Sequence, residues 1–489
     1  MNALVSKTRR IVKPLVLATA IALAASQALA AGEAKNVIFF LGDGMGPVTV
    51  TASRIYKYGE AGKLTMETLP RTARIRTFAL DAQTPDSAPT MSAYMTGVKM
   101  RNEVLSMDAT TVSKAPSANT SVTPSVGNAV NNCAATGNGV AVSTLLEQAI
   151  AKGKASGVVT TARLTHATPA ATYAHACHRD AEYEISRQAV PGGAGYNPAL
   201  GTGVDVLLGG ISYYWRPFNA TTTPRGRPDG RDLVAELQAK GYTAVNDLLS
   251  FNAAPASGRL IGLFDQALAQ GHMSYELDRD PAKEPSLSQM TSKAIDILSK
   301  NPNGYFLMVE GGRIDHALHE TTAKKALQDT VAFDNAIKAA IEKAKLTDPT
   351  LANTLIVVTA DHDHTLVLNG YAKRTGKTAA GNPGVLGVVK NYVTGAVEKD
   401  LDGAPYSIIG FGNGENRTQS SRAAMASLDE TVTSANTYHQ EAVIRTAAGN
   451  ETHGGTDVFL GAIGKGSETF LGTIDNTKVF GLVKTAGGL

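Results

Sequence analysis

The chain has 489 residues, with 46 Lys or Arg and 43 Asp or Glu, and so a formal net charge of +3. This length can bury a large core, and a hydrophobic fraction of 43% is ordinary for a soluble globular protein. Because the charge is nearly balanced, the composition gives no reason to expect nucleic acid or an anionic membrane as a partner.

The first thirty residues have the parts of a secretory signal peptide. A basic region holds Lys7, Arg9, Arg10 and Lys13, an apolar stretch covers 15–25, and a small-x-small cleavage site ends at Ala30. The apolar stretch is too short to span a bilayer unaided, and no later segment looks like a membrane span. We therefore expect a periplasmic or secreted mature protein from residue 31; an uncleaved anchor is the alternative.

The chain has two cysteines, Cys133 and Cys177. An oxidising destination permits a disulfide between them. The sequence gives no distance between the two sulfur atoms, so a disulfide and two free thiols both remain open. Their separation excludes a C-x-x-C metal or redox motif.

Strands and helices are predicted to alternate along the mature chain. In chain order the pattern predicts a strand over 36–41, a helix over 48–58, a helix following Ser87, a helix over 143–151, a strand over 157–162, a helix near 168–170, a strand over 204–208, a helix over 287–297, a strand over 305–309, a helix over 326–341 and a strand over 355–358. This alternation predicts an α/β fold: a three-layer sandwich with a large, mostly parallel central sheet and helices on both faces.

Two stretches interrupt the alternation. Residues 107–140 are rich in Ser, Thr, Asn and Ala and are predicted to form a surface loop. Residues 366–452 lack βα spacing and contain Gly/Asn clusters, so we interpret them as an insertion within one α/β domain that covers 31–489.

Three apolar runs of the length of buried parallel strands each end in a carboxylate. The first leads into Asp43, the second into Glu310 and the third into Asp361. Ligands in open α/β sheets bind beyond the carboxyl ends of the strands. Convergence of these ends would create a polynuclear metal site.

Histidines accompany these carboxylates. Asp315 and His319 lie four residues apart, on one face of a helix, His362 follows Asp361, and glycines flank the segment of His453. Carboxylate with imidazole suits zinc, whereas the oxygen donors of Glu310 and Thr168 suit magnesium. Any one such pair is more often a solvated helix face, and Gly-Asp-Gly can be a simple tight turn. The joint occurrence of these carboxylates and histidines at three strand ends, together with the glycine-flanked His453, favours a metal site.

A candidate nucleophile lies at the start of a predicted helix. Ser87 follows Asp86, and either residue alone is more often an N-cap than a catalytic group. A helix N-terminus also favours a phosphate or an alkoxide, through its backbone N–H groups and dipole. Arg179 could then bind phosphate oxygens with two hydrogen bonds, although an isolated arginine is usually a surface charge.

The chain resembles the alkaline phosphatases over nearly the whole mature sequence. The resemblance rests on seven motifs in order: Gly42-Asp43-Gly44-Met45-Gly46, Asp86-Ser87-Ala88, Thr96-Gly97-Val98-Lys99, His166-Ala167-Thr168-Pro169-Ala170, Val309-Glu310-Gly311-Gly312-Arg313-Ile314-Asp315-His316, Thr359-Ala360-Asp361-His362 and Thr452-His453-Gly454-Gly455. It implies that 366–452 is a crown-like insertion and that the protein is a homodimer.

The resemblance also implies a ligand set of two Zn²⁺ and one Mg²⁺. Asp315, His319 and His453 would hold one zinc. Asp43, Asp361 and His362 would hold the second, with Asp43 bridging to the magnesium. Thr168 and Glu310 would complete the protein ligands of that magnesium.

Further roles follow from the same resemblance. Ser87 would be the nucleophile that becomes phosphorylated, and Arg179 would bind phosphate. His166 would lie behind the magnesium ligands, and His316 would reach phosphate through water.

The sequence therefore predicts a metal-dependent hydrolase of a broad range of phosphate monoesters, acting through a phosphoserine. The alternatives are a phosphodiesterase or sulfatase-like hydrolase of the same superfamily, against which Ser87 speaks, and a secreted phosphate- or metal-binding protein without turnover.

Overall fold

The computed structural model describes residues 33–134, 136–264, 271–417 and 421–489. The predicted signal peptide, 1–30, lies outside the described residues. Among the helices of the described part, none combines the length and the apolar character needed to cross a bilayer.

The described residues form short and long strands, which we number in chain order. The strands are β1 (Asn36–Gly42), β2 (Arg71–Arg76), β3 (Ser117–Asn119), β4 (Val126–Val130), β5 (Ala155–Arg163), β6 (Val206–Gly210), β7 (Tyr242–Val245), β8 (Arg259–Leu263), β9 (Tyr305–Gly311), β10 (Thr354–Ala360), β11 (Asp363–His364), β12 (Leu366–Leu368), β13 (Ile409–Gly414), β14 (Ala442–Arg445), β15 (His453–Gly454), β16 (Val458–Gly464) and β17 (Gly472–Asp475).

Helices connect these strands. They are α1 (Pro47–Tyr58), α2 (Ser87–Thr96), α3 (Leu145–Ala151), α4 (Ala167–Tyr173), α5 (Glu182–Gln188), α6 (Leu233–Ala239), α7 (Leu248–Ala253), α8 (Leu287–Leu298), α9 (Arg313–His319), α10 (Ala323–Lys345), α11 (Glu430–Thr433) and α12 (Asn476–Gly487). Each predicted helix and strand has a counterpart here, with ends that differ by a few residues.

Ten strands form the central sheet, in the order β17-β2-β16-β10-β1-β9-β5-β6-β8-β7. Every pairing is parallel except the two that β16 makes, with β10 and with β2. Strands β9 and β10 are buried along their whole length, as is β1 beyond its first residue. Apolar residues on both faces of these strands explain why they read as continuous apolar runs.

Helices cover both faces of the sheet. Helices α1, α8 and α10 pack on one another as one layer, and α2, α4 and α12 pack on one another as a second. In α8 the predicted apolar stripe is buried, including Leu287, Met290 and Ala294. The predicted three-layer α/β sandwich with a mostly parallel sheet is confirmed.

The register of the central strands brings the three carboxylates to one level. Gly42 of β1 pairs with Ala360 of β10 and with Gly311 of β9. Asp43 and Asp361 directly follow two of these paired residues, and Glu310 lies one residue before the third. The three acidic groups therefore meet at the carboxyl edge of the sheet.

The two interrupting stretches differ from simple loops. Within 107–140, β3 and β4 form a short antiparallel hairpin that the sequence pattern did not predict, because neither strand has an alternating apolar face. Within 366–452, β12, β13 and β14 form a small sheet of their own. The exact boundaries of this insertion stay a prediction.

Cys133 and Cys177 are joined by a disulfide. The bond closes a loop with a sequence separation of 44 and ties the 107–140 stretch to the segment just before Arg179. Such a cross-link stabilises a protein mainly by restricting the unfolded chain.

Replacing both cysteines by serine should therefore lower the free energy of unfolding by about 2–4 kcal/mol. The measurement is the melting temperature with and without a reductant. Reductant should lower the melting temperature of the unmodified protein and leave that of the double variant unchanged. Equal melting temperatures for the two proteins without reductant would contradict the expectation.

Candidate functional site

Three fully buried carboxylates form the base of the site: Asp43, Glu310 and Asp361. Each has one oxygen without a hydrogen-bond partner among the described residues: Oδ2 of Asp43, Oε1 of Glu310 and Oδ2 of Asp361. Their other oxygens accept hydrogen bonds from Ser87 Oγ (3.2 Å), from the Thr160 hydroxyl and from Gly44 N–H (2.9 Å), respectively. A buried carboxylate oxygen without a donor requires a cation nearby or a proton.

Burial and neighbouring carboxylates raise the pKa of each of these three groups. Burial, followed by the charge of Asp315, raises the pKa of Asp43 to about 7. Burial and the charge of Asp43 raise the pKa of Asp361 to about 8, and the same two causes raise the pKa of Glu310 well above its usual value. Positive charge placed among these groups would keep all three ionised.

Ser87 begins helix α2 and lies beside this base. Its Oγ is 3.2 Å from Asp43 Oδ1 and 3.1 Å from His362 Nε2, and the residue is 2% exposed. His362 Nε2 is in turn 3.4 Å from Asp43 Oδ1 and 3.4 Å from Asp361 Oδ2. Asp43, Asp361 and His362 together have the spacing of a metal-binding cluster.

A second group of ligand-type side chains surrounds Asp315. The Nε2 atoms of His319 and His453 lie 3.3 Å and 3.6 Å from Asp315 Oδ1, and 3.2 Å from each other. Helix α9 places Asp315 and His319 on one face, as their spacing predicted. His453 is oriented by its Nδ1, which lies 2.8 Å from Pro85 O, and its ring stacks on that of His362 at 3.5 Å between centroids.

His364 and Glu451 belong to this second group and were missed by the sequence reasoning. His364 Nε2 is 2.8 Å from Asp315 Oδ1, and its Nδ1 is 2.5 Å from Glu451 Oε2. Burial would lower the pKa of His364, but Glu451 and Asp315 raise it well above its usual value. The sequence did contain a signal for His364. It follows His362 by two residues, and residues two apart in an extended chain lie on the same side of the strand.

Gly44 is required where the two groups meet. Its φ is +64°, and an added Cβ would lie 2.5 Å from His364 Nε2 and 3.2 Å from Asp315 Oδ1. A side chain at this position would therefore displace the imidazole and carboxylate.

Arg179 lies between Asp86 and His166. Its Nη1 donates to Asp86 Oδ1 (3.1 Å), and its Nη2 lies 3.0 Å from His166 Nε2. Asp86 is also the N-cap of α2, through a hydrogen bond from Ala88 N–H (2.7 Å). Asp86 therefore has two roles. It is the N-cap of α2, and it accepts the hydrogen bond that orients Arg179.

His166, Thr168 and His316 complete the predicted set. The carboxylates of Asp43 and Glu310 and the imidazole of His166 have the spacing of a third metal-binding cluster. Thr168 is fully buried with no hydrogen-bond partner for Oγ1 among the described residues, and it is the second residue of the helix whose N-cap is His166. The His316 ring is 5.3 Å from the His166 ring, centroid to centroid.

The residues present fit divalent metal ions. The first cluster offers two carboxylates and an imidazole, the second offers two carboxylates and several imidazoles, and the third offers two carboxylates beside a buried hydroxyl and an imidazole. The unpartnered oxygens described above are the atoms such ions would bind. An open cleft of about 640 Å³, lined by Asp86, His319 and His453 among others, leads from this centre to solvent.

The comparisons with known proteins agree with this arrangement. A family model described as alkaline phosphatase matches residues 34–489. The tissue-nonspecific alkaline phosphatase of Gallus gallus is 38% identical over 461 residues, which cover 88% of this chain and 80% of that protein. An alkaline phosphatase of Gadus morhua is 36% identical over 467 residues, which cover 90% of this chain and 88% of that protein.

A solved structure has the same fold. It is a variant of the alkaline phosphatase from the Antarctic bacterium TAB5, with Mg bound in its M3 site. The TM-score is 0.61 at 24% identity, covering 93% of this chain and 98% of that one. The extent of the family match and the identity to the two curated relatives decide the matter: this chain belongs to the alkaline phosphatase family.

Proposed function

We propose that this alkaline phosphatase hydrolyses a broad range of phosphate monoesters through a phosphoserine at Ser87. One observation carries the proposal. The Ser87 Oγ lies within 3.2 Å of both Asp43 and His362, two side chains of a metal-type cluster, at the N-terminus of helix α2. A serine oxygen between a carboxylate and an imidazole is placed to be activated as a nucleophile, unlike the hydroxyl of an ordinary helix N-cap.

The proposed cofactors are two Zn²⁺ and one Mg²⁺. Asp315, His319 and His453 would hold one zinc, and Asp43, Asp361 and His362 the other. Asp43, Glu310 and Thr168 would hold the magnesium, next to His166. When bound, these ions supply Lewis-acid stabilisation of negative charge on the serine oxygen and on the leaving group.

The protein's own groups account for binding and orientation of the phosphoryl group. Arg179 offers two N–H donors in a fixed plane, and the geometry of a guanidinium matches two phosphate oxygens. Asp86 and His166 hold this plane from either side. The Ser87 oxygen forms a bond to phosphorus as the bond to the leaving alcohol breaks, and water then releases inorganic phosphate from the serine.

The form of the cleft supports a broad substrate range. Beyond the charged centre its lining consists of small uncharged residues, among them Thr84, Asn102 and Asn450. Outside the charged centre, the described residues that line this cleft offer a leaving group no aromatic or charged side chain, so recognition would depend on the phosphoryl group.

Two further proposals concern the setting of the enzyme. The disulfide between Cys133 and Cys177 supports a periplasmic or secreted location, because such bonds persist in oxidising compartments. Exposed apolar side chains on the insertion, including Tyr371 at 89% and Val393 at 76% exposure, support a homodimer. Light scattering of the purified protein tests this by its molar mass.

The central experiment replaces Ser87 by alanine. Initial rates on p-nitrophenyl phosphate, bis-p-nitrophenyl phosphate and p-nitrophenyl sulfate should favour the first by far, and S87A should reduce that rate at least about a thousandfold. Zinc content should be unchanged, because alanine removes no proposed ligand. Chelation should abolish the activity of the unmodified enzyme.

Three outcomes would contradict this proposal. A preference for the diester or the sulfate would favour a related hydrolase. Undiminished activity of S87A would remove Ser87 from the mechanism. Binding of phosphate or zinc without turnover of any ester would leave a non-catalytic binding protein.

A second prediction concerns Glu451, whose oxygens accept from Thr365 N–H (2.8 Å) and contact His364 Nδ1. Glu451→Gln removes the charge that orients His364 and, through it, Asp315. Such outer partners typically contribute about 10–100-fold to metal affinity. We expect that loss of zinc affinity in competition with a chromogenic chelator. Glu430→Gln, which removes a half-buried carboxylate of the insertion, is the control and should leave zinc affinity unchanged.

A third prediction concerns Glu103, a residue with φ of +71° whose carbonyl accepts from Arg179 N–H (2.7 Å). Burial, and then the charge of Asp86, raises its pKa from 4.5 to about 7. The folded state therefore binds this proton more tightly than the unfolded state does. The resulting stabilisation is fully present below about pH 4.5 and is lost as the pH rises towards 7.

Glu103→Gln mimics the protonated carboxyl at every pH. The melting temperature of the variant, relative to the unmodified protein, should therefore increase between pH 4.5 and 7 and then stay constant. A difference that does not change with pH would show that the charge of Glu103 is not destabilising.

A further inference from the structure

We propose that His272 is a positioning residue for the phosphate-binding side of the site, where it holds His166 and His316 and thereby fixes the guanidinium of Arg179. The inference rests on the proposed function. His272 is 2% exposed and lies far in sequence from the strand-end motifs that carry the metal-type ligands.

The rings of His166, His272 and His316 form one packed group, which we call the histidine cluster. The centroid of the His272 ring is 4.0 Å from that of His316 and 5.6 Å from that of His166. His272 is therefore in contact with both of the histidines that the sequence placed around phosphate and the third metal-type cluster. The family resemblance assigned no role to it.

Arg163 lies against both ring nitrogens of His272, only one of which accepts a hydrogen bond in a neutral imidazole. The backbone N–H of Arg163 donates to Nδ1 (3.0 Å), and its Nη1 lies 2.6 Å from Nε2. Arg163 is itself fixed by two parallel hydrogen bonds to Glu182, from Nε (2.9 Å) and Nη2 (2.8 Å). Glu182 is buried and also accepts from the hydroxyls of Thr165 and Tyr214. The ring thus has a rigid, charged support from Arg163 and Glu182.

The backbone around His272 is held against the sheet by close contacts. Met273 N–H donates to Thr161 O of β5 (3.1 Å). At Gly210, the last residue of β6, an added Cβ would lie 2.5 Å from Gly271 O and 2.9 Å from His272 Cα. Only glycine at 210 lets the two segments approach this closely, so the position of His272 is built into the strand ends.

The connection to phosphate runs through His166. Its Nε2 lies 3.0 Å from Arg179 Nη2, while its Nδ1 has no hydrogen-bond partner among the described residues. One hydrogen bond leaves a ring free to tilt, so packing against His272 and His316 must set its plane. The orientation of the His166 ring in turn sets the orientation of the Arg179 guanidinium, because Asp86 binds only Nη1 of that group.

The test compares His272→Ala with the unmodified enzyme. Misdirecting Arg179 should raise the KM for p-nitrophenyl phosphate and the inhibition constant of inorganic phosphate about tenfold, with zinc content unchanged. The loss of kcat should be smaller than the loss of affinity, since among the described residues the ring contacts of His272 are with His166 and His316, not with Ser87 or the proposed zinc ligands.

A conservative variant and a background variant separate positioning from simple loss of packing. His272→Asn keeps an acceptor for Arg163 and should recover part of the phosphate affinity. In a His166→Ala background, where the link to Arg179 is already absent, His272→Ala should have no further effect on the inhibition constant of phosphate.

Asp348→Asn is the control for a general loss of stability. Asp348 accepts from Asn353 N–H (2.9 Å) and the Thr354 hydroxyl (2.9 Å), at the end of β10 opposite the site. The Asp348→Asn variant should have a lower melting temperature and an unchanged inhibition constant for inorganic phosphate.

The outcomes are distinct from failure of the proposed function. If the unmodified enzyme hydrolyses phosphate monoesters while His272→Ala lowers only the melting temperature, the inference is wrong and the proposed function stands. The inference is also wrong, and the proposed function stands, if His272→Ala still raises the inhibition constant of phosphate tenfold in the His166→Ala background. Failure of the unmodified enzyme to act on any phosphate monoester would overturn both.

Discussion

Burial of like charges at one edge of the sheet is the constraint on which the rest of the structure depends. Asp43, Glu310 and Asp361 are fully buried within a few residues of three paired strand ends. Burial raises the pKa of all three carboxylates, and the charge of Asp43 raises the pKa of Glu310 and Asp361 further, so the three are stable as ions only beside compensating positive charge. The interior accordingly provides several imidazoles and open oxygen atoms around them.

Residues around the carboxylates and imidazoles hold these ligands in place by hydrogen bonds and ion pairs. The His364–Glu451 pair supports Asp315, the carbonyl of Pro85 orients His453, and Thr160 contacts Glu310. The phosphate-binding side has a separate support, in which Glu182 and Arg163 lie behind His272. The ligands around Asp315 and the phosphate-binding arginine are thus positioned by different networks, while His166 lies beside Asp43 and Glu310 and also contacts Arg179.

Local patterns predicted the central elements well and the edges of the sheet poorly. Strands β1, β9 and β10 are continuous apolar runs, so their sequence alone marks them as buried. Strand β2, by contrast, alternates exposed and buried residues and contains three arginines. Its pairing with β16 depends on residues nearly 400 positions away, and no local pattern carries that information.

The order of residue types along the chain by itself determined the α/β class, the carboxylate at the end of each central strand, the serine at a helix start and the family resemblance. These are local features, readable because strand and helix periodicities and their terminal residues are encoded over a few positions. Only the tertiary structure decided that Cys133 and Cys177 are bonded and that His364, Glu451 and His272 join the site. Each of these depends on the distance between atoms far apart in sequence, which is set by the packing of the sheet and its helices.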